Sequence, residues 1–230
     1  MGSFPAGSLN GHRNVMIDGP AGHLEALLWA PANVTPAIAA VVCHPHPLFG
    51  GTMHNKVVYH AAKTLHRYGL AVLRFNFRGV GSSEGVYDHG RGETADVRAA
   101  LDYLSAEFPG TPLLAAGFSF GAAVGLRVGC EDSRVSELIG MGFPVNDLDA
   151  GYLRTCAKPK LLIQGAEDRY GSEENWKVLV AGFPPETAAN TRLVFIPGAD
   201  HFFTGHIEEM TQGIAGWFTQ RHPLPPAAEP

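Results

Sequence analysis

The stretch from Pro112 to Gly125, PLLAAGFSFGAAVG, constrains the fold more than any other. Leu113, Leu114, Ala115 and Ala116 form an apolar run without polar alternation, the pattern of a strand covered on both faces. Gly117 and Gly121 then frame Phe118-Ser119-Phe120, and small residues from Ala122 to Gly125 open a helix able to pack closely. This is the strand–turn–helix setting of G-x-S-x-G, in which a serine is held in strained backbone geometry with its hydroxyl exposed. With 28 glycines in 230 residues the pentapeptide alone says little, so the flanking strand and helix carry the reading.

The rest of the chain alternates strand and helix patterns. Val15–Ile17 and Leu24–Trp29, joined by Asp18-Gly19-Pro20, predict an opening hairpin, and Ala37–Cys43 predicts an interior strand. His44-Pro45-His46-Pro47-Leu48-Phe49-Gly50-Gly51 follows as a shaped loop, since its prolines disfavour helix and its glycines permit tight turns. A helix from Asn55 has Val57, Val58, Ala61, Ala62 and Leu65 on one face and stops at Gly69. Leu70–Phe75 reads as a strand, Asn76–Gly85 as a loop, and a helix beginning near Glu93 ends at Pro109-Gly110. Val135–Met141, Leu161–Gln164 and Arg192–Ile196 read as strands, with helices around Glu174–Val180 and Ile207–Phe218. Such alternation predicts an α/β fold, a mostly parallel sheet with helices on both faces, in one domain spanning 1–230. Residues 1 to about 11 and 222–230 read as loose tails.

Composition narrows the class of function. Charged residues make up 17% of the chain and the net charge is −5, without a basic cluster, so no nucleic-acid partner is expected. No apolar segment follows basic residues at the N-terminus, and the longest apolar run, Ala37–Cys43, is too short for a bilayer. Cys43, Cys130 and Cys156 form no C-x-x-C pair, which suits reduced thiols in a cytoplasmic protein.

A serine hydroxyl becomes a competent nucleophile only beside a base, and that base needs an acceptor on its other nitrogen. Gln164-Gly165-Ala166-Glu167-Asp168 closes one predicted strand, and Ile196-Pro197-Gly198-Ala199-Asp200-His201 closes another. Both fall at carboxyl ends of strands, where a parallel sheet presents its ligand loops. Ser119, Asp168, His201 is the chain order of α/β-hydrolases; Glu167 and Asp200 adjoin the acid and the histidine as alternative carboxylates.

GFSFG, QGAED, IPGADHFF, HPHPLFGGTMHNKVV and LRFNFRGVGSSEG together resemble small bacterial α/β-hydrolases described as lidless serine esterases, related to the dienelactone-hydrolase and acyl-peptidase-like branch. The resemblance runs from about Val15 to Phe218. It implies Ser119 as nucleophile, His201 as general base and acid, and Asp168 as the residue orienting the imidazole. It departs from the dienelactone hydrolases in carrying Ser119 where they carry cysteine.

An oxyanion hole is expected from the backbone N–H of Phe120 and one N–H after the Ala37–Cys43 strand. Pro45 and Pro47 have none, leaving His46 or Leu48, with His46 favoured. His44-x-His46 also admits a metal pair, but no third or fourth ligand is suitably spaced, so no metal or cofactor is expected. Arg78, Glu84, Asp88, Arg91 and Glu93 read as loop-shaping charges. Only 17 residues, Gly142–Lys158, connect the strand after Ser119 to the one before Asp168, too few for a sizeable cap. An open cleft walled by Leu48, Phe49, Phe118, Phe120, Phe143, Phe202 and Phe203 is therefore expected, for a small ester substrate with a short acyl group.

Overall fold

The computed structural model describes residues 12–223. Of the loose tails expected at 1–11 and 222–230, residues 1–11 and 224–230 lie outside them. Among the described residues, eight strands form one sheet: β1 (His12–Gly19), β2 (Gly22–Trp29), β3 (Ala39–Cys43), β4 (Ala71–Phe75), β5 (Leu113–Phe118), β6 (Val135–Met141), β7 (Lys160–Gly165) and β8 (Thr191–Ile196). Their spatial order is β1-β2-β4-β3-β5-β6-β7-β8. The β1–β2 and β2–β4 pairings are antiparallel and the remaining five parallel.

Among the described residues, six helices flank the sheet: α1 (Lys56–Arg67), α2 (Arg91–Glu107), α3 (Phe120–Glu131), α4 (Glu173–Ala181), α5 (Pro185–Ala189) and α6 (Ile207–Arg221). Every residue of β3, β4 and β5 is buried, because both sheet faces are covered. Val57, Leu65, Met210 and Trp217 of α1 and α6 pack on one face with Ala40 and Val42. Val97, Leu101, Leu126 and Trp176 of α2, α3 and α4 pack on the other with Val41 and Cys43. Successive residues of β3 thus serve two cores, which is why its sequence shows no polar alternation.

Several boundaries differ from the sequence reading. Ala37 lies in a bend and β3 starts at Ala39. A short 3₁₀ turn, Pro47–Phe49, begins on a proline whose missing N–H would have no helical partner there. The short helix α5 was not foreseen, since Pro184-Pro185 reads as a breaker although proline is well suited to a first turn. His222 is no loose residue: it stacks on Phe218 at 4.3 Å between ring centroids and bonds Glu137 at 3.1 Å. No helix among the described residues is long and apolar enough to cross a membrane.

The β6–β7 connection holds only a 3₁₀ turn, Gly151–Thr155, so among the described residues no sizeable cap covers the sheet's carboxyl edge. That edge carries the ends of β3, β5, β7 and β8, and with them the motifs read from the sequence.

Candidate active site

Ser119 joins β5 to α3 with φ 56° and ψ −124°. A non-glycine residue in the left-handed region costs on the order of 1–3 kcal/mol, which the surroundings must enforce. They do so by contact. A Cβ on Gly117 would lie 2.3 Å from the carbonyl oxygen of Gly121, and one on Gly121 would lie 2.3 Å from that of His44. The Ser119 N–H donates to the Met141 carbonyl at 2.9 Å, fastening the turn to the end of β6.

His201 Nε2 stands 2.9 Å from Ser119 Oγ, and its Nδ1 stands 2.7 Å from Asp168 Oδ2. With Nδ1–H donating to the carboxylate, Nε2 is left to accept the serine proton. Asp168 is 3% exposed and His201 7%. The buried carboxylate is further satisfied by Gln164 Nε2 at 2.5 Å on Oδ2 and the Tyr170 N–H at 2.8 Å on Oδ1. Its alternatives are elsewhere: Glu167 is exposed, and Asp200 Oδ1 accepts the N–H groups of Phe202 and Thr204. Those two bonds shape the tight turn after His201, in which Phe203 is held at φ 52°. Three rings fix the imidazole: Phe118 at 5.1 Å, Tyr170 at 4.7 Å and Phe202 at 5.1 Å.

Beside the serine, Phe120 is the first residue of α3, so its N–H has no intrahelical acceptor. The His46 carbonyl accepts from Phe49 and Gly51, whereas its own N–H donates to no acceptor among the described residues. The Leu48 N–H donates to His46 Nδ1 at 3.2 Å, so the imidazole proton resides on Nε2 and points to Tyr87 Oη at 3.0 Å. Burial lowers the pKa of His46, opposed by the charge of Glu93. The His46 ring lies 5.0 Å from Phe120 and 4.7 Å from Phe49. The second imidazole of the His44-x-His46 pair is wholly buried, with Nδ1 on the Pro45 carbonyl at 2.6 Å and Nε2 accepting the Phe77 N–H at 3.0 Å. All four ring nitrogens are therefore engaged within the protein. Among the described residues, no three His, Cys, Asp or Glu side chains are grouped so as to hold a metal ion.

The expected walls divide. Leu48, Phe49 and Phe202 are exposed, with Phe49 at 86%. Phe118 and Phe143 are corrected: both are buried, as is Phe203. Phe118 points inward from the last position of β5 and carries the His201 ring, and Phe143 packs edge-on to Trp176 at 5.7 Å. Gln164, Tyr87 and Tyr170 are the residues the sequence reading passed over. Gln164 and Tyr170 had placement as a signal, at and just beyond the carboxyl end of β7; Tyr87, in the long loop between β4 and α2, had none.

The loop-shaping reading holds for Arg78, Glu84 and Glu93, whereas the Arg91 side chain is 82% exposed with a single 3.4 Å contact to Asp88. Arg78 grips Asp96 with Nε and Nη2 at 2.6–3.1 Å, Glu84 accepts from the His23 N–H, and Glu93 accepts from the N–H groups of Asp88 and Gly90.

A protein-family model described as serine aminopeptidase, S33, matches residues 36–154, from the approach to β3 through the elbow and β6. The chain belongs to this serine aminopeptidase (S33) family. Within the α/β-hydrolase fold, it is 38% identical over 205 residues to the uncharacterized protein RP471 of Rickettsia prowazekii, covering 87% of this chain and 86% of that one. XC6422 from Xanthomonas campestris, described as an α/β serine hydrolase without lid, is 32% identical with a TM-score of 0.85. That alignment covers 98% of this chain and all of the other. An α/β serine hydrolase homologue from Coxiella burnetii is 36% identical with a TM-score of 0.82, covering 91% and 98%. The S33 match ends ahead of Asp168 and His201, so their approach to Ser119 is a property of this chain's own geometry.

Proposed function

We propose that this chain cleaves small carboxylic esters of short acyl groups through an acyl-enzyme. The observation that carries the reading is the hydrogen-bonded line from Ser119 Oγ through His201 to Asp168, set at a strained turn beside an uncapped edge.

In the proposed reaction Ser119 Oγ attacks the ester carbonyl as its proton passes to His201 Nε2. Asp168 holds the Nδ1–H and stabilises the imidazolium. The oxyanion is received by the N–H groups of Phe120 and His46, each such donor being worth about 3 kcal/mol in the transition state. The leaving alcohol takes the proton from His201. Water then attacks the acyl-enzyme, giving its proton to His201, and Ser119 departs with it as the free acid forms. No metal or organic cofactor enters any step. The open edge admits small substrates without closure of a lid, so rates should fall, not climb, toward C16 acyl chains.

The three free cysteines and the absence of a basic cluster support a cytoplasmic enzyme acting on small molecules. Cleavage of amides by the same residues is a second reading, favoured by the family's description as aminopeptidase; turnover of an aminoacyl anilide faster than its matched ester would establish it.

Trapping with a fluorophosphonate tests the reading. An activated serine displaces fluoride and retains the phosphonyl group, so the expected result is one adduct per chain, mapped to Ser119 and absent in Ser119→Ala. Labelling elsewhere, or equal labelling of His201→Ala, would overturn it.

A further inference from the structure

A groove leaves the elbow along α3. Phe120, Ala123, Val124 and Arg127 line it from one helical stripe, spaced i, i+3, i+4 and i+7, and Leu148 faces them. Its volume is about 390 Å³. At ~1.5 Å rise per residue the stripe is roughly 10 Å long, beginning one residue from Ser119. Its floor is apolar and its far end is not.

Arg127 is built into that far end. Its guanidinium lies 4.5 Å over the Tyr152 ring, and the Tyr152 hydroxyl donates to the Ala123 carbonyl at 3.0 Å, anchoring the ring to the same helix. One Arg127 nitrogen bonds Asp149 at 3.1 Å, leaving most of its five N–H donors uncommitted. Arg91 stands on the opposite wall, 82% exposed at its side chain, with a single 3.4 Å contact to Asp88. Asp149 is the one carboxylate lining the groove, and it is already bonded by Arg127 and the Gly151 N–H. Arg127 is paired with Asp149 and Arg91 only loosely with Asp88, so each guanidinium keeps N–H donors that a further carboxylate could take.

Resting on the ester-hydrolase reading above, we propose that this groove holds the acyl chain and selects chains of roughly six to eight carbons ending in a carboxylate, a span that follows from C–C bonds of ~1.5 Å. The chain would lie over Phe120, Ala123 and Val124, with its terminal carboxylate between Arg127 and Arg91. A neutral alkyl chain of the same length would fill the floor but leave both guanidinium groups unanswered. A chain of three or four carbons would not reach them.

The test compares p-nitrophenyl hemiesters of hexanedioic and octanedioic acid with the corresponding hexanoate and octanoate esters. For the native chain, kcat/KM is expected to be about tenfold or more higher for the hemiesters, as a charge-assisted pair provides, and to lose that margin as salt screens it. In the Arg91→Gln/Arg127→Gln double variant the hemiester-to-alkanoate ratio should fall about tenfold, a quantity in which any loss of folded enzyme cancels. Arg91→Glu alone should push the ratio below one. Equal rates for both ester types in the native chain, or a ratio unmoved by the substitutions, would overturn the proposal. Calorimetric titration of the Ser119→Ala protein with octanedioate separates the two readings. Binding that Arg91→Gln weakens, alongside a native chain that hydrolyses none of these esters, would uphold the groove and reject the esterase; no binding would reject the groove whatever the native chain hydrolyses.

Discussion

The carbonyl oxygen of His44 occupies the space a side chain on Gly121 would need, 2.3 Å from where its Cβ would fall. The loop after β3 and the turn that carries Ser119 are therefore in direct backbone contact, and the position of one dictates the position of the other. Gly121→Ala is expected to destabilise the fold by roughly 2–4 kcal/mol, the range of an overpacked, unyielding contact. Gly216→Ala provides the contrast. Nothing lies within 4 Å of a Cβ there and the residue is in α6, so about 0.5–1 kcal/mol of stabilisation is expected from helix propensity. Urea unfolding of both variants checks the pair.

His44 makes stability depend on pH. Burial pushes its pKa from 6.5 down to about 4, because a charged imidazole would be desolvated and Nε2 would lose its bond from the Phe77 N–H. The unfolded chain takes up a proton near pH 6.5 and the folded one does not. The neutral form's contribution is thus complete above pH 6.5 and is lost as pH falls toward 4, up to about 3 kcal/mol. Urea midpoints at intervals from pH 7.5 to 4.5 should fall steadily in the native chain. His44→Gln, whatever its stability at pH 7.5, should show a distinctly shallower fall; parallel curves would reject this role.

Arg74 is a buried cation without an ion pair among the described residues. It is 2% exposed, donates to the Met53 carbonyl at 2.7 Å, and lies 4.4 Å over Trp29 and 5.5 Å over Tyr59. Burial lowers its pKa to about 10. A planar guanidinium can stack where a compact ammonium cannot. Arg74→Lys should therefore cost more stability than Arg74→Met, by about 1–2 kcal/mol, since the methionine removes the charge-burial penalty while keeping most of the packing. Thermal unfolding of the two variants orders them.

Tyr87 is expected to act through His46. Tyr87→Phe removes the acceptor for His46 Nε2–H and frees the ring that receives the Leu48 N–H. A fall of about threefold to tenfold in kcat with little change in KM is expected, because the loop would present its oxyanion donor less firmly. A change confined to KM would assign Tyr87 to substrate binding instead.

Much of the fold was legible because β3 and β5 lie in the middle of a parallel sheet, where burial on both faces leaves uninterrupted apolar runs. Val135–Met141 matched β6 at both ends. The elbow was legible because a strand and a helix flank its bracketed serine, whereas the other G-x-S-x-G, Gly81–Gly85, sits in a loop. The walls were not. Phe118 and Phe202 look alike in sequence, but one ends a strand with its ring turned under His201 and the other follows it on an open turn. The groove along α3 depends on which helical stripe faces α2, and Arg127 and Arg91 are 36 residues apart, with nothing local to link them. Likewise Gln164 and Tyr87 bond side chains whose positions depend on the packed sheet.

The central claim is that Ser119, activated by His201, performs ester cleavage. Its most direct test is kcat/KM on p-nitrophenyl esters from C2 to C12, native against Ser119→Ala, with circular dichroism confirming that both are folded. The account predicts turnover of the short esters by the native chain and a loss of about a thousandfold or more in the alanine variant. Equal rates from the two folded proteins would contradict it.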